Sequence, residues 1–522
     1  MRFMRTKKSA INIATALISQ FIIVLLGFIS RRIMIDSIGV EYLGINGLMN
    51  NILTLLSLAE SGVGTAMVYA LYKPLADNDI PKIKALMNFY KNTYRLLAMF
   101  TAILGVSILP FLDFFMKDNT VENASIIYLM FLFSSVVSYL YSYKVSMNNA
   151  DQNKYLSTIF NTITQILVLI IKVFILYLTE NYILFLSIDI GSTLIKNIIF
   201  SRIMDKRYPY LKEKSNDKLD DKTRESLYIN IKSLFWGKIG YILSVSSDNL
   251  VISSMISVKT VGLYSNYTTL TSSVSGFVGV FMSSISASIG NLMAKESKDK
   301  VYEIYKISSF INFWLYGFSS ICLFCLAEPF IAIWLGEEYI MGKGVLILIV
   351  LNFLIGGFMA PIDSIKSAAG LYKPDSYIPI VAAIVNLILS VILVKYLGLS
   401  GVFIGTIVST LLFSFWIKPM LVYKYIFKKN LLEYFIDVIL KLFAVTICGL
   451  LCWVIGEVAF KSYTVLNLIG RLIVCIIIPN MVMILTTFKT DEFKYIYNII
   501  LPIIARIKYF IFNKLKKMKA IN

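Results

Sequence analysis

The chain has 522 residues, 57% of them hydrophobic, and a mean hydropathy of +0.74. So apolar a composition excludes a water-soluble globular fold, which must coat its own surface with polar groups. The net charge of +19 would suggest a nucleic-acid partner in a soluble protein, and the absence of His excludes His-based catalysis and His metal ligation.

Apolar runs of about 20 residues, the length that crosses a bilayer core as a helix, follow one another along the chain. Helix is the expected form, because a span in lipid must satisfy its own backbone hydrogen bonds. Spans are predicted near 10–30, 46–71, 96–116, 124–143, 156–178, 182–201, 234–257, 261–290, 307–334, 344–365, 376–394, 399–417, 432–458 and 464–488. The expected fold class is therefore an all-α polytopic membrane protein of about fourteen transmembrane helices. The first span is not a cleaved secretion signal, since it lacks a small-residue cleavage site and a second span follows. Arg31–Arg32 lies after the apolar stretch and so is not a twin-arginine signal. The runs 234–257 and 261–290 are the least apolar, being rich in Ser, Thr and Gly.

An even number of spans places both ends on one side. On that scheme most Lys and Arg fall in segments on the same side as the termini, with nine in 202–233 alone. The opposite side keeps Arg31, Arg32, Lys117, Lys259, Lys343, Lys395 and Lys461. This bias orients the N- and C-termini to the cytoplasm, and the basic charge faces membrane lipids rather than nucleic acid.

The segment 202–233 divides the first twelve spans into six and six. A weak repeat supports the division: Val40-Glu41-Tyr42-Leu43-Gly44-Ile45 enters span two, and Val258-Lys259-Thr260-Val261-Gly262-Leu263 enters span eight. Gly191-Ser192-Thr193 and Gly405-Thr406 form a second echo. Two parallel repeats are a common transporter plan. The expected organisation is an N-terminal lobe at 1–203, a basic cytoplasmic linker at 204–233, a C-terminal lobe at 234–424, two further helices at 425–488 and a basic amphipathic cytoplasmic tail at 489–522.

Polar residues inside spans are costly and mark interiors or water-filled cavities. Span one aligns Gln20, Gly27 and Arg31 on one face, with Arg32 about 100° round. Span two carries Asn46, Asn50, Thr54, Ser57 and Ser61, with Glu60 beside them. Span five aligns Asn161, Gln165 and Lys172; span six sets Asp189 seven residues before Lys196. Span seven aligns Tyr241, Ser244 and Asp248, and span ten breaks at Pro361-Ile362-Asp363. Two readings stand for these faces: a central aqueous cavity, or interhelical hydrogen bonding. Arg31 can equally snorkel to headgroups, and Lys172, Lys196 and Asp189 can pair among themselves.

All five cysteines lie in apolar stretches, so Cys322-Leu323-Phe324-Cys325 reads as packing rather than a redox or metal motif. There is no G-x-x-x-x-G-K-[ST] phosphate loop, and no outer loop is long enough for a catalytic domain. Neither an enzyme nor a cofactor is expected. Energy would come from an ion gradient, the membrane potential or the substrate gradient.

The run Ile38-Gly39-Val40-Glu41-Tyr42-Leu43-Gly44-Ile45-Asn46-Gly47-Leu48, followed by Leu58-Ala59-Glu60-Ser61-Gly62-Val63-Gly64, resembles the opening of Wzx-type flippases. Asp248-Asn249, Ala368-Ala369-Gly370-Leu371-Tyr372-Lys373, Asn386-Leu387 and the stretch from Gly398 through Gly401 to Gly405 extend the likeness through most of 10–425. The resemblance places the chain beside MATE antiporters and lipid II flippases in the MOP exporter superfamily. It implies two six-helix lobes plus two C-terminal helices, alternating access, and an undecaprenyl-diphosphate-linked oligosaccharide as substrate. Other polysaccharide-assembly proteins are implied as further partners.

On that expectation Arg31, Arg32, Gln20, Lys172, Lys196, Asn50 and Gln165 bind the diphosphate and sugars. Glu60, Asp248 and Asp363 serve ion coupling or gating. Rival readings are a cation-coupled drug antiporter, a lipid II flippase, and a membrane polysaccharide polymerase or glycosyltransferase.

Overall fold

The computed structural model describes residues 2–501 apart from 61, 119–120, 152–153, 214–218, 294–296, 370, 372, 376 and 499–500. Among the described residues there is no strand. The first half contains α1 (Arg2–Ile38), α2 (Val40–Leu56), α3 (Val63–Asp77), α4 (Ile80–Ile108), α5 (Ala124–Ala150), α6 (Lys154–Thr179) and α7 (Tyr182–Arg207). Next come α8 (Asp221–Met255), α9 (Val258–Met293), α10 (Lys298–Trp334), α11 (Lys343–Ala368), α12 (Ile378–Leu397) and α13 (Leu399–Leu412). The chain continues through α14 (Ser414–Leu421), α15 (Leu431–Ala459) and α16 (Val465–Thr487).

Every predicted span falls on helix. Among the described residues, eleven helices are long and apolar enough to cross a membrane. The remaining three predicted spans fall on α2–α3, α8 and α9. The first of these is interrupted. After Leu56 the chain tightens into a 3-10 turn at Ser57–Glu60, and Gly62 takes φ +106° before α3 begins. That backbone conformation suits glycine, which has no Cβ to clash.

Several helices also run past the bilayer-length stretches. Asp79 accepts a hydrogen bond from the Lys82 backbone amide and caps α4 about four turns before the predicted span. Asp220 caps α8 through Thr223 in the same way. Basic segments predicted as loops are thus largely helical. The tail at 489–522 is helical at 491–498, and most of the remainder lies outside the described residues.

The chain forms two compact units. Unit one gathers Met1–Val280, Trp334–Ile349 and Asp375–Ser414. Its core includes Met67, Leu71, Leu86, Tyr90, Tyr94 and Met147, contributed by α3, α4 and α5. Unit one also brings the two repeat segments into contact. A methyl group at Gly44 would overlap the Val258 carbonyl oxygen, and one at Gly262 would overlap the Val40 carbonyl oxygen. Glu41 and Lys259, the second positions of each segment, pair at 3.6 Å. The two glycines let α2 and α9 meet backbone to backbone, the close approach that small residues permit between membrane helices.

Unit two gathers Phe281–Ile333, Val350–Pro374 and Phe415–Asn522. Its core is made by Tyr305, Phe313, Phe358, Ile362, Tyr423 and Val445 with the cysteines among them. All five thiols are free and four are buried. Arg471, 2% exposed, donates to the Phe460 carbonyl oxygen from Nε (3.1 Å) and Nη2 (2.7 Å), and to Glu457 at 3.1 Å. It thereby satisfies the end of α15, whose last carbonyls have no partner within the helix.

Candidate functional site

A cleft of about 300 Å³ opens in unit one among α1, α6 and α7. The polar stripe of α6 brings Thr164, Gln165 and Lys172 to it, and α7 brings Asp189, Ser192, Thr193 and Lys196. α1 contributes Gly27 and Ser30. No atom lies within 4 Å of where a Gly27 side chain would begin, so this wall is set back and leaves room.

The charges in the cleft are unequal in their partners. Lys172 pairs with Asp189 at 2.5 Å and lies 3.9 Å above the Phe185 ring. Ion pairing and the ring's negative face both hold it. Lys196 is half-buried, and among the described residues no carboxylate lies within 4.0 Å of it. The cleft therefore carries an excess positive charge.

Arg31 stands one turn beyond Gly27 but faces elsewhere. Its Nη1 donates to Ser265 Oγ at 2.7 Å and Asn266 Oδ1 at 2.8 Å, both on α9. Among the described residues no carboxylate lies within 4.0 Å of it and none supplies an acceptor to Nε or Nη2. Arg31 thus holds a half-buried, preorganised fork with donors to spare. Arg32 is exposed, pairs with Asp36 at 2.7 Å and donates to the Trp334 carbonyl oxygen. Gln20 packs over Gly276 of α9. Asn50 is exposed and donates to Asn46 Oδ1 at 2.6 Å; Asn46 in turn donates to the Tyr182 hydroxyl at 3.3 Å.

The structure thus brings Gln165, Lys172 and Lys196 together. It places Arg31 and Gln20 on the α9 side of α1, and Asn50 and Arg32 in separate settings. Ser265 and Asn266 escaped the sequence reading. The available signal was an amide, Asn266, within a Ser- and Thr-rich span; the structure buries it fully, where an amide needs a partner.

Of the acidic candidates, Glu60 sits in the interruption between α2 and α3 and accepts from the Tyr94 hydroxyl at 3.3 Å. It borders a polar cleft of about 680 Å³ with Ser57, Thr65, Ser142, Ser146 and Asn149. Asp363, in unit two, is paired with Lys418 at 2.8 Å. Asp248, on α8, accepts from Thr406 Oγ1 at 3.1 and 3.2 Å. Asn386 donates to the same hydroxyl at 2.8 Å, and Ser247 donates to Asn386 Oδ1 at 3.0 Å. Among the described residues no cation lies within 4.0 Å of Asp248. The cationic cleft uses spans one, five and six; this acidic network uses spans seven, eleven and twelve.

A family model described as polysaccharide biosynthesis protein matches residues 9–286. Among solved structures, the chain is similar to the lipid II flippase MurJ in an inward closed conformation, with a TM-score of 0.63, 14% identity, and coverage of 90% of this chain and 98% of that one. It is similar to the MATE multidrug transporter DinF-BH, with a TM-score of 0.63, 15% identity, and coverage of 81% and 97%. It is also similar to a mutant of the Vibrio cholerae MATE transporter VcmN, with a TM-score of 0.58, 15% identity, and coverage of 82% and 98%. No curated protein matches the chain. At these identities the structures establish a shared MATE- and MurJ-like transporter fold.

Proposed function

This chain belongs to the polysaccharide biosynthesis protein family, and on that footing we propose that it is a flippase. Its substrate is an undecaprenyl-diphosphate-linked oligosaccharide repeat unit of capsule, exopolysaccharide or O-antigen type. Transport runs from inner to outer leaflet of the bacterial cytoplasmic membrane by alternating access. The chain has no catalytic role in this reading.

The observation that carries the reading is two half-buried cations of a membrane-embedded unit, Arg31 and Lys196, neither within 4.0 Å of a carboxylate among the described residues, the nearby Asp189 being paired to Lys172. A charge left uncompensated there is expensive, and an anionic ligand relieves the cost. A diphosphate carries about two negative charges and matches the guanidinium fork. Arg31 engages it through its spare donors, Lys196 adds a second contact, and Gln20, Gln165 and Asn50 meet sugar hydroxyls. Lys172 contributes to the positive field while held by Asp189, and Arg32 acts at the headgroup level.

An inside-negative potential drives negative charge outward by about 2.3 kcal/mol per charge per 100 mV. The emptied cationic cleft is drawn back by the same field. Asp248 is the coupling candidate, because it is half-buried, its carboxylate accepts from the neutral Thr406 hydroxyl, and among the described residues no Lys or Arg lies within 4.0 Å of it.

The test follows surface polysaccharide in cells carrying Arg31→Ala or Arg31→Lys. Loss of export with lipid-linked units accumulating on the inner leaflet is expected for Arg31→Ala, with partial function for Arg31→Lys. Normal export by well-inserted Arg31→Ala protein removes Arg31 from the mechanism. Asp248 favours one second reading, a cation-coupled drug antiporter; transport of cationic dyes by the purified protein would support it.

A further inference from the structure

Unit two holds a cavity of about 630 Å³ among α10, α15 and α16, made without any residue of unit one. Its polarity is graded along the helices. α10 passes from Tyr302 and Lys306 to Phe310 and Phe313, about 16 Å along its axis from first to last. α15 passes from Glu433 and Asp437 to Leu440, Lys441 and Ala444 over a similar distance, with the Lys441 ammonium turned back to Asp437 and Ser309 and 5.6 Å from the Phe313 ring, where the polar and aromatic parts meet. The end of α16 adds Thr486 and Thr487, and Glu492 follows just beyond it. One end of the cavity is charged and hydroxyl-rich, and the other is apolar and aromatic. That distribution matches an amphiphile, with its head at the helix ends and its chain toward the membrane interior.

The charges specify the kind of head. Lys306 pairs with Glu492 at 3.3 Å. Lys441 pairs with Asp437 at 2.6 Å and donates to Ser309 at 3.1 Å. Glu433 accepts the Tyr302 hydroxyl at 2.8 Å, and among the described residues no Lys or Arg lies within 4.0 Å of it. A purely anionic head would face three carboxylates. A simple cation would face two ammonium groups. A head bearing both signs meets a partner for each.

We infer that this cavity binds a zwitterionic membrane lipid whose head joins an ammonium to a phosphate. The ammonium is met by Glu433, the carboxylate with charge to spare. The phosphate lies toward Lys306 and Lys441, and the acyl chain covers Phe310, Phe313 and Leu440. This lipid is a resident of the fold rather than cargo, and the inference is independent of what unit one carries.

The test reconstitutes the full chain in nanodiscs containing dioleoyl phosphatidylethanolamine and dioleoyl phosphatidylglycerol in equal amounts, then reads retained lipid by native mass spectrometry. Expected is one tightly retained phosphatidylethanolamine, favoured at least fivefold over phosphatidylglycerol. Glu433→Lys is expected to abolish or invert that preference, and Ala444→Phe, which fills the apolar end, to lower retention of both lipids. Thermal unfolding of the wild type with each lipid gives a readout that needs no variant, with the higher midpoint in phosphatidylethanolamine. Equal retention of the two lipids by the wild type overturns the inference, as does a preference unmoved by Glu433→Lys. Displacement of the retained lipid by undecaprenyl phosphate would also overturn it, by assigning the cavity to the cargo's tail.

Discussion

Gly44→Ala is a small change placed where the two repeat segments have least room. A methyl group there would stand 2.9 Å from the Val258 carbonyl carbon and 3.0 Å from its Cγ1, against an ordinary contact of about 3.5–4.0 Å. The nearer Val258 carbonyl oxygen governs, so the helices must part by roughly 1 Å or more, and overpacking of this kind costs about 1–3 kcal/mol. In the proposed orientation this contact closes the outer side. A cost of about 2 kcal/mol borne only by the closed state would shift the closed-to-open ratio about 30-fold. Spin labels at Asp36→Cys and Lys259→Cys report the separation in reconstituted protein; because Lys259→Cys removes the Glu41 pair from both samples, the difference made by Gly44→Ala is what is read. A large new population at longer distance is expected, together with reduced polysaccharide export. An unchanged distance distribution in folded Gly44→Ala protein would refute the claim that this contact sets the closed state.

Lys196→Ala should weaken binding of undecaprenyl diphosphate about tenfold or more, the loss of one charge-assisted hydrogen bond worth about 1.5–3 kcal/mol. Lys172→Ala should weaken it less, because Asp189 already engages that ammonium; equal losses in a lipid-binding titration would count against the distinction. Thr406→Val removes the hydroxyl donor to Asp248 and should alter how export depends on pH or on the coupling cation. An unaltered dependence in well-inserted protein would take Asp248 out of the coupling. Arg471→Met strips the Phe460 carbonyl of its two guanidinium hydrogen bonds and should cost about 2–4 kcal/mol, seen as a lower thermal midpoint in detergent, with Arg471→Lys recovering part of it.

Hydropathy located the helices but not their ends. It measures the portion matched to the bilayer core, whereas Asp79 and Asp220 start their helices in polar sequence by capping backbone amides. The interruption at Ser57–Gly62 was hidden because the run 46–71 stays apolar on average while one glycine turns the backbone. Helical spacing did gather Gln165 and Lys172, since both sit on one face of a single straight helix. It could not show that Arg31 would choose α9 over the lysine cleft. Which neighbour a polar face meets depends on packing between helices hundreds of residues apart, and Ser265 and Asn266 carry no periodic signal linking them to span one.

The Val40–Gly44 and Val258–Gly262 contact has the grammar of a twofold dimer. The first position of each copy abuts the fifth of the other, and the second positions face one another with opposite charge. The two segments therefore form a reciprocal seam, each supplying what the other lacks. Cut within 204–233 and expressed as two fragments, the pieces should still recognise each other through this seam. A tandem of either piece with itself should associate more weakly, because Glu41 would then meet Glu41, or Lys259 would meet Lys259, and like charges would replace the opposite pair.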